Sequence, residues 1–508
     1  MRQFFAFVAL LLSLPSFALA TVTPLGDADA RHLLNRSGFG APPTAVASFA
    51  RLSREQAVDR LLASARTTPV LAPPAQPFVS PASFKNASEK EKQQARREEF
   101  EKGVELRGWW LDEMLVTPSP LTERMTLFWH SHFVSSQQKV KSVRLLCDQN
   151  LLLRQHALGN FGELLHAVAK DPAMIVYLDS ATNRKGQPNE NFAREVMELF
   201  TLGEGRYSEQ DIKEAARAFT GWSIDRDSGR YRWRPALHDD GEKTILGERG
   251  NFDGDDVLDI LLRQPATAEF IVGKLWREFV SPTPATAADT AEIRRIAGIF
   301  RNSGYALRPT LRALLLSRAF WAKENRGVLV KSPVDLVVGS MRTLEIPVPD
   351  ALPLAFAVRN LGQDLFAPPN VKGWPGGDAW INATSLLARK QFIERLLRND
   401  DFVMRPVRAD GVEGSYAEAG MRERMRTGQL REEFGKGAGR LDDEARLRMV
   451  RAVSEIRFDS RRWLSRYPDV AAVERALLPI PAVAPPSADV AGIALVRGIA
   501  LDPAYQLK

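Results

Sequence analysis

The chain has 508 residues, 44% hydrophobic, 26% charged and 8% aromatic, with a formal net charge of +7. These values exclude a wholly disordered chain, a collagen and a polytopic membrane protein. One cysteine, Cys147, excludes an intrachain disulfide framework and any multi-cysteine zinc or iron–sulfur site, and the small positive excess gives little support for a nucleic-acid partner.

Met1–Ala20 combines Arg2, an apolar run from Phe4 to Leu14 and an Ala18-Leu19-Ala20 cleavage triplet. It reads as a secretory signal cleaved after Ala20, which predicts a periplasmic or secreted protein. No later stretch approaches the roughly 18 apolar residues of a membrane span. Residues 21–66 predict short N-terminal helices over Ala28–Arg36 and Arg54–Ala65, the second opened by a Ser53/Gln56 capping box. Residues 67–87 hold Pro69, Pro73, Pro74, Pro77 and Pro81 and read as a proline-rich linker. A main helical domain is expected over 88–400. It opens with a helix from Ser88 to about Val116, whose interleaved charges read as a solvated face. Helices follow at Pro120–Ser135, Lys141–Gly159, Phe161–Lys170, Asn189–Leu202 and Ser208–Thr220. Cys147, within the predicted Lys141–Gly159 helix, reads as a small buried hydrophobe.

Around residues 229–247, Arg230, Arg232 and Arg234 alternate with Tyr231 and Trp233. With a turn at Asp239-Asp240-Gly241 this predicts a small β-hairpin. Helices resume at Asp255–Arg263, for which Asp253 and its neighbours supply N-caps, and continue to Ser385–Leu397. Residues 401–508 read as an Arg/Glu-rich, loosely packed insertion at Gly411–Gly439, a proline-broken stretch and a terminal helix near Val490–Ile499. The fold class expected is mainly α: a multi-helix globular body with one small β-hairpin.

Familiar catalytic signatures are absent: there is no G-x-S-x-G, H-E-x-x-H, G-x-x-x-x-G-K-[ST] or strand followed by G-x-G-x-x-G. The richest candidate is NENFAREVMELFTLG, Asn189–Gly203. At about 100° per residue, Glu190, Asn191, Arg194, Glu195 and Glu198 share an arc of roughly 140°. That arc is the wet side of an amphipathic helix, or, because the apolar arc is wide, an enclosed acidic strip that needs arginines or a metal. Trp129-His130-Ser131-His132 is the second candidate. Two imidazoles two residues apart point about 200° apart on a helix and cannot chelate one ion there. His132 projects with the apolar side and needs a partner: it is a satisfied core histidine, or it meets Glu190, Glu195 or Glu198 in an ion pair or half a metal site. The candidate catalytic set is therefore Glu190, Arg194, Glu195, Glu198 and His132, with one divalent metal as a possible cofactor. The candidate binding set is Trp129, His130, Asn189, Asn191, Arg232, Trp233, His238, Trp374 and Trp380. Arg232 and Trp233 offer a basic aromatic strand, His238 stands beside a turn, and the two last tryptophans sit in the rigid Pro368–Trp380 loop.

Several stretches together resemble a known family. These are Arg31–Gly40, MTLFWHSHFVSS (Met125–Ser136), the run from Asp171 to Trp222, LHDDGEKTILG (Leu237–Gly247) and LFAPPNVKGWPGGDAWIN (Leu365–Asn382). In order, they resemble the bacterial domain of unknown function 1800, over about residues 27–400 with a return near Val496–Tyr505; the arginine-rich Asp401–Arg475 departs from the pattern. The resemblance implies exported, helix-rich proteins without an assigned activity or agreed catalytic residues. It also implies a partner, since members are often encoded beside exported proteins that look like phosphatase or sulfatase relatives. Two functions stay open: an exported binding or assembly partner of another exported protein, and a hydrolase using the Glu/His cluster, with or without a metal.

Overall fold

The computed structural model describes residues 23–80, 86–398, 441, 443–487 and 489–508; the signal segment and the Gly411–Gly439 stretch lie outside these. The mainly helical expectation holds. Helix starts follow the local chemistry: Ser53 with Gln56, Ser208 with Asp211 and Asp253 with Asp256 close reciprocal capping boxes, each satisfying two amides that the first helical turn leaves open. Helix ends are closed from a distance by arginines. Arg36 donates to Phe279 and Val280 carbonyls, and Arg342 donates to Met114 and Leu115 carbonyls at the end of the Glu89–Val116 helix. A cation at a helix C-terminus both pairs the free carbonyls and faces the negative end of the dipole.

The Glu89–Val116 helix explains itself in two halves. Its first turns carry the interleaved charges, and its last four turns bury Val104, Leu106, Trp109, Trp110, Leu111 and Met114. Against it lies the Pro120–His132 helix, whose residues Leu121–His130 are all buried. A helix covered on every side must find partners for its polar groups. Glu123 accepts both guanidinium branches of Arg154 at 2.7 and 2.8 Å and the Trp110 indole at 2.8 Å. Arg124 pairs with Asp335 and, at 3.2 Å, with Glu278; Asp335 also takes the Lys508 ammonium at 2.8 Å. Cys147 is buried among the hydrophobes of the core, in its expected place.

Residues 67–80 form no helix or strand and lie along the body. The amides of Val70 and Leu71 donate to Glu113, the Trp109 indole donates to the Leu71 carbonyl, and Arg144 donates to the Gln76 carbonyl. The β portion differs in detail from the expectation. Strand β1 (Trp222–Ile224) pairs antiparallel with β2 (Tyr231–Trp233), and β3 (Lys243–Ile245) with β4 (Glu248–Gly250). The arginine-rich strand and the Lys243–Ile245 strand therefore sit in separate ribbons and not in one hairpin. Asp239 is the reason. It binds Arg217 through both oxygens, and its own amide donates to Thr220, so the turn is pinned to the Glu209–Ala218 helix.

Candidate functional site

His132 ends the Pro120–His132 helix, buried among Phe128, Trp129, Phe133 and Phe200. Both ring nitrogens are engaged, neither by a glutamate. Lys274 donates to Nδ1 at 2.7 Å, and Nε2 faces the Phe200 carbonyl at 3.2 Å, an arrangement that fits a neutral ring protonated on Nε2. Burial, and then Lys274, holds its pKa well below the ordinary value, while burial lowers that of Lys274 to about 7. Lys274 comes from the Pro265–Phe279 helix, distant in sequence. His130 points the other way into equally dry surroundings. It accepts the Phe366 amide at 3.1 Å, lies 5.7 Å from the Trp374 ring, and is driven down to about 3 by burial and then by Arg107. Trp129 is buried with its indole on the Ala157 carbonyl, and Trp374 and Trp380 are likewise buried, so the Pro368–Trp380 loop covers core.

The acidic stripe takes an unexpected shape. The chain is α-helical over Asn191–Glu195 and then widens to a π-helix over Val196–Thr201. The Leu202 amide donates to the Met197 carbonyl, and the Thr201 hydroxyl closes onto the Val196 carbonyl at 2.6 Å. A period of 3.6 therefore no longer places Glu198 relative to Glu190. Each polar side chain has its own neighbours. Arg194 grips both oxygens of Glu209 and reaches Glu190 at 3.4 Å. Glu198 accepts the Tyr207 hydroxyl at 2.5 Å with Lys372 4.0 Å away, and Asn191 donates to Asp179. Glu195 is half-buried, has no hydrogen bond among the described residues, and has its pKa raised by burial and then by Glu198. None of these carboxylates meets His132, and among the described residues no group of three or more His, Cys, Asp or Glu is placed to hold a metal ion. The Glu–His expectation is corrected accordingly: the imidazole partner is a lysine.

Of the remaining candidates, Arg232 pairs with Asp225 at 2.9 Å, and Trp233 is 37% exposed, 5.0 Å from the His238 ring. His238 meets the Thr220 carbonyl at 3.0 Å. Asn189 and Glu190 face a different feature, a cleft of about 1810 Å³.

Its walls are the charged half of the Glu89–Val116 helix, the Gln138–Ser142 turn, the Ala181–Glu190 segment, the end of β1 with its following turn, and Arg359 to Ala367. The lining includes the apolar residues Phe100, Val104, Val176, Ile224 and Phe356. The helix contributes Lys92, Arg96, Lys102 and Arg107; Lys141, Arg184, Arg226, Arg234 and Arg359 complete the cations, against acids Glu98, Glu99, Glu190, Asp225 and Asp364. Some of these charges neutralise each other: Arg107 and Arg359 share Asp364, and Lys102 binds Glu99. Arg96, Lys141, Arg226 and Arg234 make no ion pair among the described residues, and the Nε of Arg234 is buried without a hydrogen bond. With nine cations against five acids along the lining, the cleft carries a positive excess. Arg96 escapes sequence reasoning because a mixed-charge helix looks solvated from sequence alone, and Lys141 and Arg226 because they lie in turns far apart in the chain. The available signal is the spacing of Lys92, Arg96 and Arg107, which places them along one helical stripe.

Comparison with known proteins bears on this point. A family model described as "Protein of unknown function (DUF1800)" matches residues 32–501. The chain belongs to this family. The match runs from the first helix to the end of the Gly492–Leu501 helix. No curated protein and no solved structure is detectably similar.

Proposed function

We propose that this chain is an exported protein, released by cleavage after Ala20, that binds or assembles with another exported protein by taking an acidic segment of that partner into the cleft. The observation that carries the reading is the set of cleft-lining cations without an ion pair among the described residues, Arg96, Lys141, Arg184, Arg226 and Arg234, together with apolar lining residues. At about 1810 Å³ the cleft exceeds the roughly 300–1,000 Å³ of small-molecule sites, which favours a macromolecular segment. The apolar lining favours a protein over a purely anionic glycan. A phosphatase- or sulfatase-like exported protein is the partner class that the family resemblance suggests. No described helix is long and apolar enough to cross a membrane.

The test is a photocrosslinking residue at Gln138, on the cleft wall, in producing cells. The proposal expects crosslinks to one exported protein, lost when Arg96 and Arg226 are changed to Glu. Crosslinks that survive those changes, or a chain retained uncleaved in the cytoplasm, would overturn it.

A second reading, hydrolysis, draws on one observation, the half-buried Glu195 whose raised pKa suits a general acid. It lacks an imidazole, because His132 is committed to Lys274. Turnover of chromogenic ester or glycoside probes abolished by Glu195→Gln would establish it.

A further inference from the structure

Among the cations of the cleft, Arg234 combines a fixed backbone with an unanswered charge. The residue follows β2, and both of its backbone groups are held. Its amide donates to the Gly221 carbonyl at 2.9 Å, and its carbonyl accepts the Leu237 amide at 3.0 Å. Gly221 makes this close approach possible: its φ is +88°, and a Cβ there would lie 2.8 Å from the Arg234 carbonyl oxygen. The Gly221 amide in turn donates to the Asn183 carbonyl, which ties Arg234 to the Ala181–Glu190 wall of the cleft.

The guanidinium has no such ties. Six described arginines carry a buried Nε without a hydrogen bond: Arg36, Arg124, Arg234, Arg326, Arg342 and Arg389. Five of them spend their other guanidinium nitrogens on carbonyl or carboxylate oxygens. Arg234 does not; its guanidinium has neither a hydrogen bond nor an ion pair among the described residues. Two residues earlier, Arg232 has Asp225 at 2.9 Å. An N–H buried without an acceptor is costly, and more so on a charged group.

We infer that Arg234 is the anchoring residue of the cleft: its guanidinium pairs side-on, through Nε and one terminal nitrogen, with a carboxylate of the partner's acidic segment. This rests on the proposed cleft function and adds the residue that fixes the segment and the group it grips. A carboxylate spans two parallel N–H groups of a guanidinium, and such a forked pair adds geometric specificity to the attraction of charge. Because the Arg234 backbone is already pinned, little ordering remains when the ligand arrives. A lysine in its place would keep the sign of the charge and lose the fork.

Two synthetic peptides, measured by isothermal titration calorimetry on the full chain, separate the sources of that carboxylate. Acetyl-(Glu-Val)5-amide carries side-chain carboxylates only, and acetyl-(Gln-Val)5 with a free C-terminus carries a terminal one only. Arg234→Lys is expected to weaken at least one of them 10-fold or more, with an unchanged or higher thermal melt, and the peptide affected names the source. Affinities within about 2-fold of wild type for every peptide that binds would overturn the anchor. A lowered melt with unchanged affinity would overturn it too, since a purely structural role gives that result. If Arg234→Lys does not fold, Arg234→Gln is read in the same way. Failure of the cleft reading is a separate result, in which neither peptide binds the wild-type chain, and it overturns the anchor as well.

Discussion

The Pro120–His132 helix and the cleft wall use charge in opposite ways. In the helix, Glu123 has Arg154, Arg124 has Asp335, and His132 has Lys274, all in dry surroundings. On the cleft wall, Arg96, Lys141, Arg226 and Arg234 stand without ion pairs among the described residues. Like charges gathered along one groove repel one another, a cost that an acidic ligand would relieve.

Stability measurements should separate the two regions sharply. Asp335→Asn leaves Arg124 and Lys508 without their shared counter-ion in the interior and should cost about 3–5 kcal/mol in urea unfolding. Arg226→Glu or Arg96→Glu, on exposed side chains, should change stability by no more than about 0.5 kcal/mol. Comparable costs for the two classes would break the comparison.

Acid should act on the core first. His130 and His32 are held neutral, near pKa 3 and 2, against an ordinary imidazole value of 6.5. The unfolded chain takes up protons at these positions below about pH 6.5 and the folded chain does not. Each therefore removes about 1.4 kcal/mol of stability per pH unit as pH falls from 6.5 toward its folded value. His166, raised by Asp255 and Asp259, opposes this and gains stability as it protonates. The difference between wild type and His130→Gln isolates one core histidine: the loss between pH 6.5 and 4.5 should be shallower in the variant. Parallel pH profiles would show that His130 is not dry.

The smallest expected effect is at Glu195. This carboxylate is desolvated and has no hydrogen bond among the described residues, so Glu195→Gln should leave stability unchanged or raise it by up to about 1 kcal/mol at pH 8. A clear loss would reveal a partner that Glu195 needs.

What could be read in the sequence follows the range of the interactions. Ser53, Ser208 and Asp253 cap through neighbours three residues away, and such contacts are legible in a short window. Burial of His132 was legible from the apolar face of its helix. Its partner was not, because Lys274 lies 142 residues away and resembles any other helical lysine. The acidic stripe was drawn on an ideal wheel and misplaced by the π-helix at Val196–Thr201, which no residue of VMELFT announces. Strand β2 shows its period of two, but its partner Trp222–Ile224 is too short to carry a pattern of its own. The cleft is the least visible feature, since residues from 78 to 367 converge to form it.

The central claim is that the cleft selects its ligand by the sign of its charge. The most direct test is a charge exchange. Wild type should bind acetyl-(Glu-Val)5-amide and ignore acetyl-(Lys-Val)5-amide, and the Arg96→Glu, Lys141→Glu, Arg226→Glu variant should reverse that order by at least 10-fold each way. Identical preferences in the two proteins would contradict the account.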